Sequence, residues 1–313
     1  MRRRLPSRIA AAMMVFMVAG CASSFETTQP SVIPDSQQPV IDSLSPAAPS
    51  GANVGLVVVN ETEPAGGNGY KEVIVNPGLV NTGDQLGFEV HSQGGLHGTL
   101  EVAEGRSYTA GGTLFWSIAP IPVPPGVTVC GSDYGTFNET FENVPATAHV
   151  QTFTLSNSPS IDLGAPKGSC ANPSLGPLPT SFDAKTVTAG DPGFSVSLGA
   201  VATATIPAEY GGSPAHKQTS VSVTFVNKSQ LDPLDFSGQG LWVLTDKGFM
   251  LPIGAAILPG DNTCTVGPGQ TRTCPLAPFN TTDDTGKPVA LLVVAPDSTR
   301  EVSASGAWGM ASL

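Results

Sequence analysis

Four of the five cysteines, Cys130, Cys170, Cys264 and Cys274, are the side chains here whose chemistry depends most on who their partners are. An even set in an exported chain reads as two disulfides. Three pairings are open, and the sequential one (130 with 170, 264 with 274) is the simplest because each bond stays within one half of the chain. Zinc is the weaker reading, since the close Cys-x-x-Cys spacing of tetrahedral sites is missing. The four histidines are His91, His97, His149 and His216. His91 and His97 flank Gly94-Gly95 and could meet at one metal, but stable sites take three or four ligands, so both read as solvated loop residues. Asp283-Asp284, with Asn280 and Thr282, offers oxygen ligands for Ca²⁺ without the regular spacing of a calcium loop, and reads as a polar turn. Asp133 and Glu139, with Tyr134, form the only carboxylate pair that invites a glycosidase reading, and loop spacing alone does not support it. No nucleophile elbow, Walker loop or dinucleotide fingerprint is present. We therefore expect no enzyme, no catalytic residue, no bound metal and no cofactor.

Cys21 stands apart. Arg2, Arg3, Arg4 and Arg8 precede an apolar run from Ile9 to Gly20, which ends Val18-Ala-Gly-Cys21. Twelve such residues rise about 18 Å as a helix, against roughly 30 Å of hydrocarbon to be crossed. A secretory signal (1–20) is thus favoured over a membrane span. Small residues just before a cysteine resemble the bacterial lipobox, in which the thiol takes a diacylglyceryl group before cleavage; acyl chains such as palmitate then hold the protein to the membrane. The expected location is the outer face of the bacterial cell membrane, in the cell envelope.

The chain has 313 residues and a net charge of −11, which becomes −15 once the four leader arginines are removed. Such acidity repels phosphate backbones and anionic headgroups, so nucleic acid is excluded as a partner and membrane contact falls to the lipid on Cys21. Charged residues are only 12 %, while Gly (36) and Pro (29) are abundant, a balance that suits short strands and turns rather than long helices.

The elements that must position these residues follow from patterning. Residues 21–50 comprise the lipidated cysteine and a Ser/Pro/Thr/Gln-rich stretch without apolar periodicity, a disordered tether. From 51 to 158, runs such as Val54–Val59, Lys71–Val75, Gln85–His91, Thr113–Ile118 and His149–Leu155 read as strands of an N-terminal β-rich domain. Pro120–Gly126 is expected at an edge or in an exposed loop, because proline donates no ladder hydrogen bond. Residues 159–182 form a Pro/Gly-rich linker. From 183 to 313, strands are expected at Phe194–Leu198, Ser220–Val226, Leu241–Thr245, Phe249–Leu251, Gln270–Cys274, Pro288–Val294 and Glu301–Ser305. This spacing fits an antiparallel β-sandwich, and the whole fold is expected to be all-β. Trp242, opposite in parity to Leu241 and Val243, is either a core residue or a surface binding aromatic. No period between the halves amounts to a repeat.

The segments Val221–Gly248, Gly267–Asn280 and Gly286–Asp297 together resemble a family of bacterial extracytoplasmic immunoglobulin-like domains. It is found on secreted lipoproteins and includes the mycobacterial immunoprotective extracellular antigens. The resemblance covers about 183–313 and implies a β-sandwich and export, without implying catalysis. Function is therefore expected to be a lipid-anchored envelope lipoprotein with a binding or structural role toward an envelope protein or small molecule. The alternatives are a cell-wall hydrolase or transferase with an acidic site in the N-terminal domain, or a carrier of a small ligand or metal.

Overall fold

Alternation of apolar and polar residues, broken by Gly, Pro and Asn, yields short antiparallel strands and no helix among the described residues. The computed structural model describes residues 54–89, 98–110, 121–132, 135–155, 159–170, 175–184, 193–208, 215–230, 233–236, 240–253, 264–295 and 307–313. Cys21 and the tether, His91, His97, Asp133, Tyr134, and the expected strands Thr113–Ile118 and Glu301–Ser305 lie outside them. In the first half the strands are β1 (Val54–Thr62), β2 (Tyr70–Asn81), β3 (Gly87–Glu89), β4 (Gly98–Val102), β5 (Ser107–Thr109), β6 (Ile121–Val123), β7 (Thr128–Val129), β8 (Gly131–Ser132), β9 (Gly135–Thr136), β10 (Glu139–Pro145), β11 (Val150–Leu155) and β12 (Ile161–Asp162). Then come β13 (Ser181–Asp183), β14 (Phe194–Ile206), β15 (His216–Asn227), β16 (Leu234–Asp235), β17 (Leu241–Thr245), β18 (Phe249–Pro252), β19 (Thr265–Val266), β20 (Thr271–Pro275), β21 (Phe279–Thr281), β22 (Pro288–Val294) and β23 (Trp308–Ser312).

These strands make the same sandwich twice. In the first half β2 pairs with β1, β7 and β10, β3 pairs with β6, and one sheet runs β12-β11-β4-β5. In the second half β15 pairs with β14, β20 and β21, β16 pairs with β19, and one sheet runs β23-β22-β17-β18. Register agrees as well. The first residue of β1 or β14 faces the last of β2 or β15 (Val54 with Asn81, Phe194 with Asn227), and both ladders slip after the fifth residue. Loop hydrogen bonds coincide too: Ala103 N–H to His149 carbonyl matches Asp246 to Lys287, and Ala110 to Gly98 matches Ile253 to Leu241. The repeat was not evident in the sequence because it survives mainly at turns. Pro125-Gly126 and Pro268-Gly269 make one turn, and Gly105 and Gly248 another, all four glycines having positive φ.

Each copy buries the inner faces of its two sheets. Phe141 of β10 meets Phe153 of β11 edge-to-face at 6.3 Å. In the second copy Phe236 stacks on Phe225 at 4.2 Å and meets Phe194 edge-on at 5.6 Å.

The halves 51–158 and 183–313, expected as separate domains, share structure. β8 adds in parallel to β18 and so joins the second copy's sheet. Trp242, Leu244, Met250, Leu292, Val294 and Trp308 are buried in one apolar cluster with Val73, Leu100 and Phe153 of the first copy. This settles the parity of Trp242: it is buried, 3 % exposed, on the sheet face opposite Leu241 and Val243. A surface aromatic is excluded. Residues 159–182, expected as a linker, hold β12 and the start of β13, and Gly168 N–H donates to the Val58 carbonyl at 2.8 Å. Ile121–Val123, expected at an edge or in a loop, is fully buried as β6, paired on one side to β3. Its single partner strand is what lets Pro122 be there.

Candidate functional site

Glu139 opens β10 opposite Val75 of β2. Strand parity puts it on the same face as Phe141, so a carboxyl group points into the sandwich beside a core aromatic. Across from it β4 begins at Gly98. A Cβ there would lie 2.9 Å from the Glu139 carboxyl carbon, so a side chain at that position would have to displace the acid. Glu139 is 1 % exposed, and neither carboxylate oxygen has a hydrogen-bond partner among the described residues. Burial pushes its pKa up to about 8, with the nearby Gly98 amide opposing more weakly. At neutral pH the group is therefore mainly a neutral acid in a buried setting, able to give a proton. The suggested pairing with Asp133 and Tyr134 falls on residues outside those described.

Counting back from the equivalent Phe141 and Phe279, the second copy has Ala277 where the first has Glu139. There the space between the sheets is an open cleft of about 370 Å³, lined by Leu251, Ile253, Ala277, Phe279, Asn280 and Thr285 among others.

A second pair of matched positions explains how the sheets are held. Asn81 and Asn227 end their long strands and are 0 % and 1 % exposed. Each accepts the amide two residues on through Oδ1 (Gly83, 3.0 Å; Ser229, 2.9 Å). Each donates Nδ2 to the strand before the Pro-Gly turn (Val123 carbonyl, 2.8 Å; Val266 carbonyl, 3.0 Å). Both are buried amides with satisfied bonds that pin β6 or β19 to the main sheet. In sequence Asn227 reads only as a polar break after a strand, and Asn81 carries no signal until the two are aligned.

The cysteines pair sequentially. Cys130 bonds Cys170, with Cα atoms 5.7 Å apart, and Cys264 bonds Cys274, at 5.9 Å. The chain reverses at Gly267–Gln270, where Gln270 N–H meets the Gly267 carbonyl at 3.0 Å. The arms do not form one ladder, however, since β19 pairs with β16 and β20 with β15. The second disulfide thus closes a short loop and ties two sheets together. The first lies at the junction of the copies. Cys130 N–H donates to the Gly248 carbonyl at 2.8 Å, and a Cβ on Gly248 would lie 2.7 Å from the Thr128 carbonyl and 3.1 Å from that of Cys170.

The remaining candidates separate. His149 precedes β11 and lends its backbone carbonyl to Ala103, while His216 starts β15 opposite Ile206. Among the described residues no group of three or more His, Cys, Asp or Glu could hold a metal. Thr282 and Thr285 close the 282–286 turn by mutual hydrogen bonds, and Lys247 Nζ donates to the Asp283 carbonyl. That makes it a polar turn with a cation already in it. Against family models, curated proteins and solved structures, the chain finds no match.

Proposed function

We propose that this is an exported, lipid-anchored protein of the bacterial cell envelope, with a binding or structural role carried by two copies of an immunoglobulin-like sandwich. The observation that carries the reading is the state of the cysteines. Four of five are used in two disulfides, which suit an oxidising compartment, and this leaves Cys21 as the thiol available for acylation. Strand order supports the immunoglobulin-like part. The sheet β23-β22-β17-β18 follows the order G-F-C-C′, and β14-β15-β20 follows A-B-E. Because β12-β11-β4-β5 repeats that order, we extend the reading to the first half. One departure is clear: Trp242, on the C-like strand, faces away from its own sandwich and so does not pack on an inter-sheet disulfide as in antibody domains. Two acyl chains hold a protein stably where one does not. Cys21→Ala should therefore release the protein from membranes or leave the precursor uncleaved. A mutant that fractionates and migrates like wild type would refute the anchor.

The cleft beside Ala277 favours small-ligand carriage as the second reading. Soaking a crystal with small apolar alcohols tests it: density between Leu251 and Phe279 supports carriage, and an empty, unchanged cleft removes its basis.

A further inference from the structure

We infer that Glu139 and Gly98 form a pH-sensitive latch at one end of the first sandwich, shut while the acid keeps its proton and loosened at the starts of β4 and β10 when the proton leaves. Strand ends converge on this point. Glu139 is the first residue of β10 and Gly98 the first of β4. Leu155, the last of β11, pairs with Gly98, and Ala110, just past β5, donates its N–H to the Gly98 carbonyl at 2.9 Å. A Cβ on Gly98 would lie 2.9 Å from Glu139 Cγ and 3.0 Å from Oε2, so the acid occupies the room that the glycine leaves.

The second copy shows that the fold does not need an acid here. Register sets Gly98 against Leu241 and Glu139 against Ala277, so there the large side chain comes from the opposite sheet. Leu241 is 1 % exposed within an apolar core. A leucine–alanine pair carries no titratable group, whereas the glycine–glutamate pair packs an acid between the sheets. Titration therefore separates two ends that are otherwise built alike.

No cation stands ready for the ionised form. Among the described residues, β2 brings Lys71 on the buried face, but opposite Val144 at the far end of β10, with its Nζ on Glu63 and the Ala148 carbonyl. β10 and β4 bring Glu142 and Glu101, both exposed. β5 has the half-buried Tyr108 opposite Leu100, with exposed Arg106 before it. His149 precedes β11, at the end away from Leu155. A carboxylate buried without a partner is costly. The converging strand ends are the nearest backbone that can part, since element ends open more readily than interiors.

Closed, the carboxyl has its pKa pushed by burial up to about 8; opened to water, it returns toward 4.5. Opening thus releases a proton between those values, and the open population grows by up to about tenfold per pH unit, levelling off above 8.

Hydrogen exchange of the full chain in detergent, between pH 5 and 8, tests the latch. The Ala110 amide is compared with that of Ile253, which makes the same bond to Leu241 in the second copy. Corrected for intrinsic exchange, protection at Ala110 should fall by up to about tenfold per pH unit while that at Ile253 stays level. Glu139→Gln, and separately Gly98→Leu combined with Glu139→Ala, should make Ala110 as level as Ile253. A flat Ala110 profile in the wild type, an equal fall at Ile253, or a fall that survives in either variant would overturn the inference.

Discussion

Two sheets of this molecule have the same strand order and register but different surroundings. In β12-β11-β4-β5 only one face is buried: Leu100, Val102, Phe153 and Leu155 point into the sandwich, while Glu101 is exposed and Thr99, Thr152 and Thr154 are half-buried. In β23-β22-β17-β18 both faces are buried. Leu241, Val243, Leu291 and Val293 fill the second copy's own core, and Trp242, Leu244, Leu292 and Val294 join the cluster shared with the first copy. Position by position, Thr99 becomes Trp242, Glu101 becomes Leu244, and Thr154 becomes Leu292. A strand covered on one face alternates, and a strand covered on both becomes a continuous apolar run. The contrast teaches that Leu241–Thr245 and Val289–Val294 owe their composition to the neighbouring copy rather than to their own sandwich.

The largest expected effect sharpens that comparison directly. Trp242→Ala should cost about 3–5 kcal/mol, as large-to-small changes in a packed core do. Its counterpart Thr99→Ala should stay within about 1 kcal/mol, since a half-buried threonine outside the packed core loses little on truncation. Equal losses at the two sites in denaturant titrations would break the comparison.

Next in size are the disulfides. In the chain-entropy model a 40-residue loop is worth about 4 kcal/mol and a 10-residue loop about 3 kcal/mol. Replacing Cys130 and Cys170 by serine should therefore lower stability more than replacing Cys264 and Cys274. Melting curves of the two double mutants decide the order. Neither change should abolish the fold, and non-reducing peptide maps should retain the untouched pair.

Glu139 gives a pH signature that its counterpart Ala277 cannot. Its folded pKa, about 8, exceeds the ordinary value of 4.5, so the folded state holds a proton that the unfolded state releases over that range. Stability contributed by the protonated form is complete below about 4.5 and falls as pH rises toward 8, with a slope of about 1.4 kcal/mol per pH unit. Glu139→Gln should flatten that slope in urea titrations between pH 5 and 8. A slope unchanged by the substitution would mean that the group is already ionised and solvated.

The smallest effect compares two turns of one design. Gly105 and Gly248 share φ +74, so alanine at either costs about 1–2 kcal/mol of left-handed backbone strain. A Cβ at Gly105 meets nothing within 4 Å, whereas at Gly248 it meets the Thr128 and Cys170 carbonyls. Gly248→Ala should be the more destabilising of the two. The reverse order would mean that the Gly248 turn does not seat against the first copy.

The all-β class, most strand positions and the presence of two disulfides were legible because each rests on a local signal: alternation, Gly and Pro punctuation, or an even cysteine count. What is joined through space was not. The repeat rests on Asn81 and Asn227, and on two Pro-Gly turns, too few matched residues to register as a period. The burial of Ile121–Val123 was hidden by its prolines, which speak for an edge but say nothing about cover. Glu139 stood out as an acid, yet its buried setting depends on Gly98, 41 residues away in sequence, and no spacing rule links them.

Two copies of one sandwich are fused through the outer face of β17 and β22, and they should unfold as a single cooperative body. Differential scanning calorimetry of the full chain tests it most directly. One transition is expected, with calorimetric and van't Hoff enthalpies equal. Two resolved transitions, the second reproduced by residues 175–313 expressed alone, would contradict it.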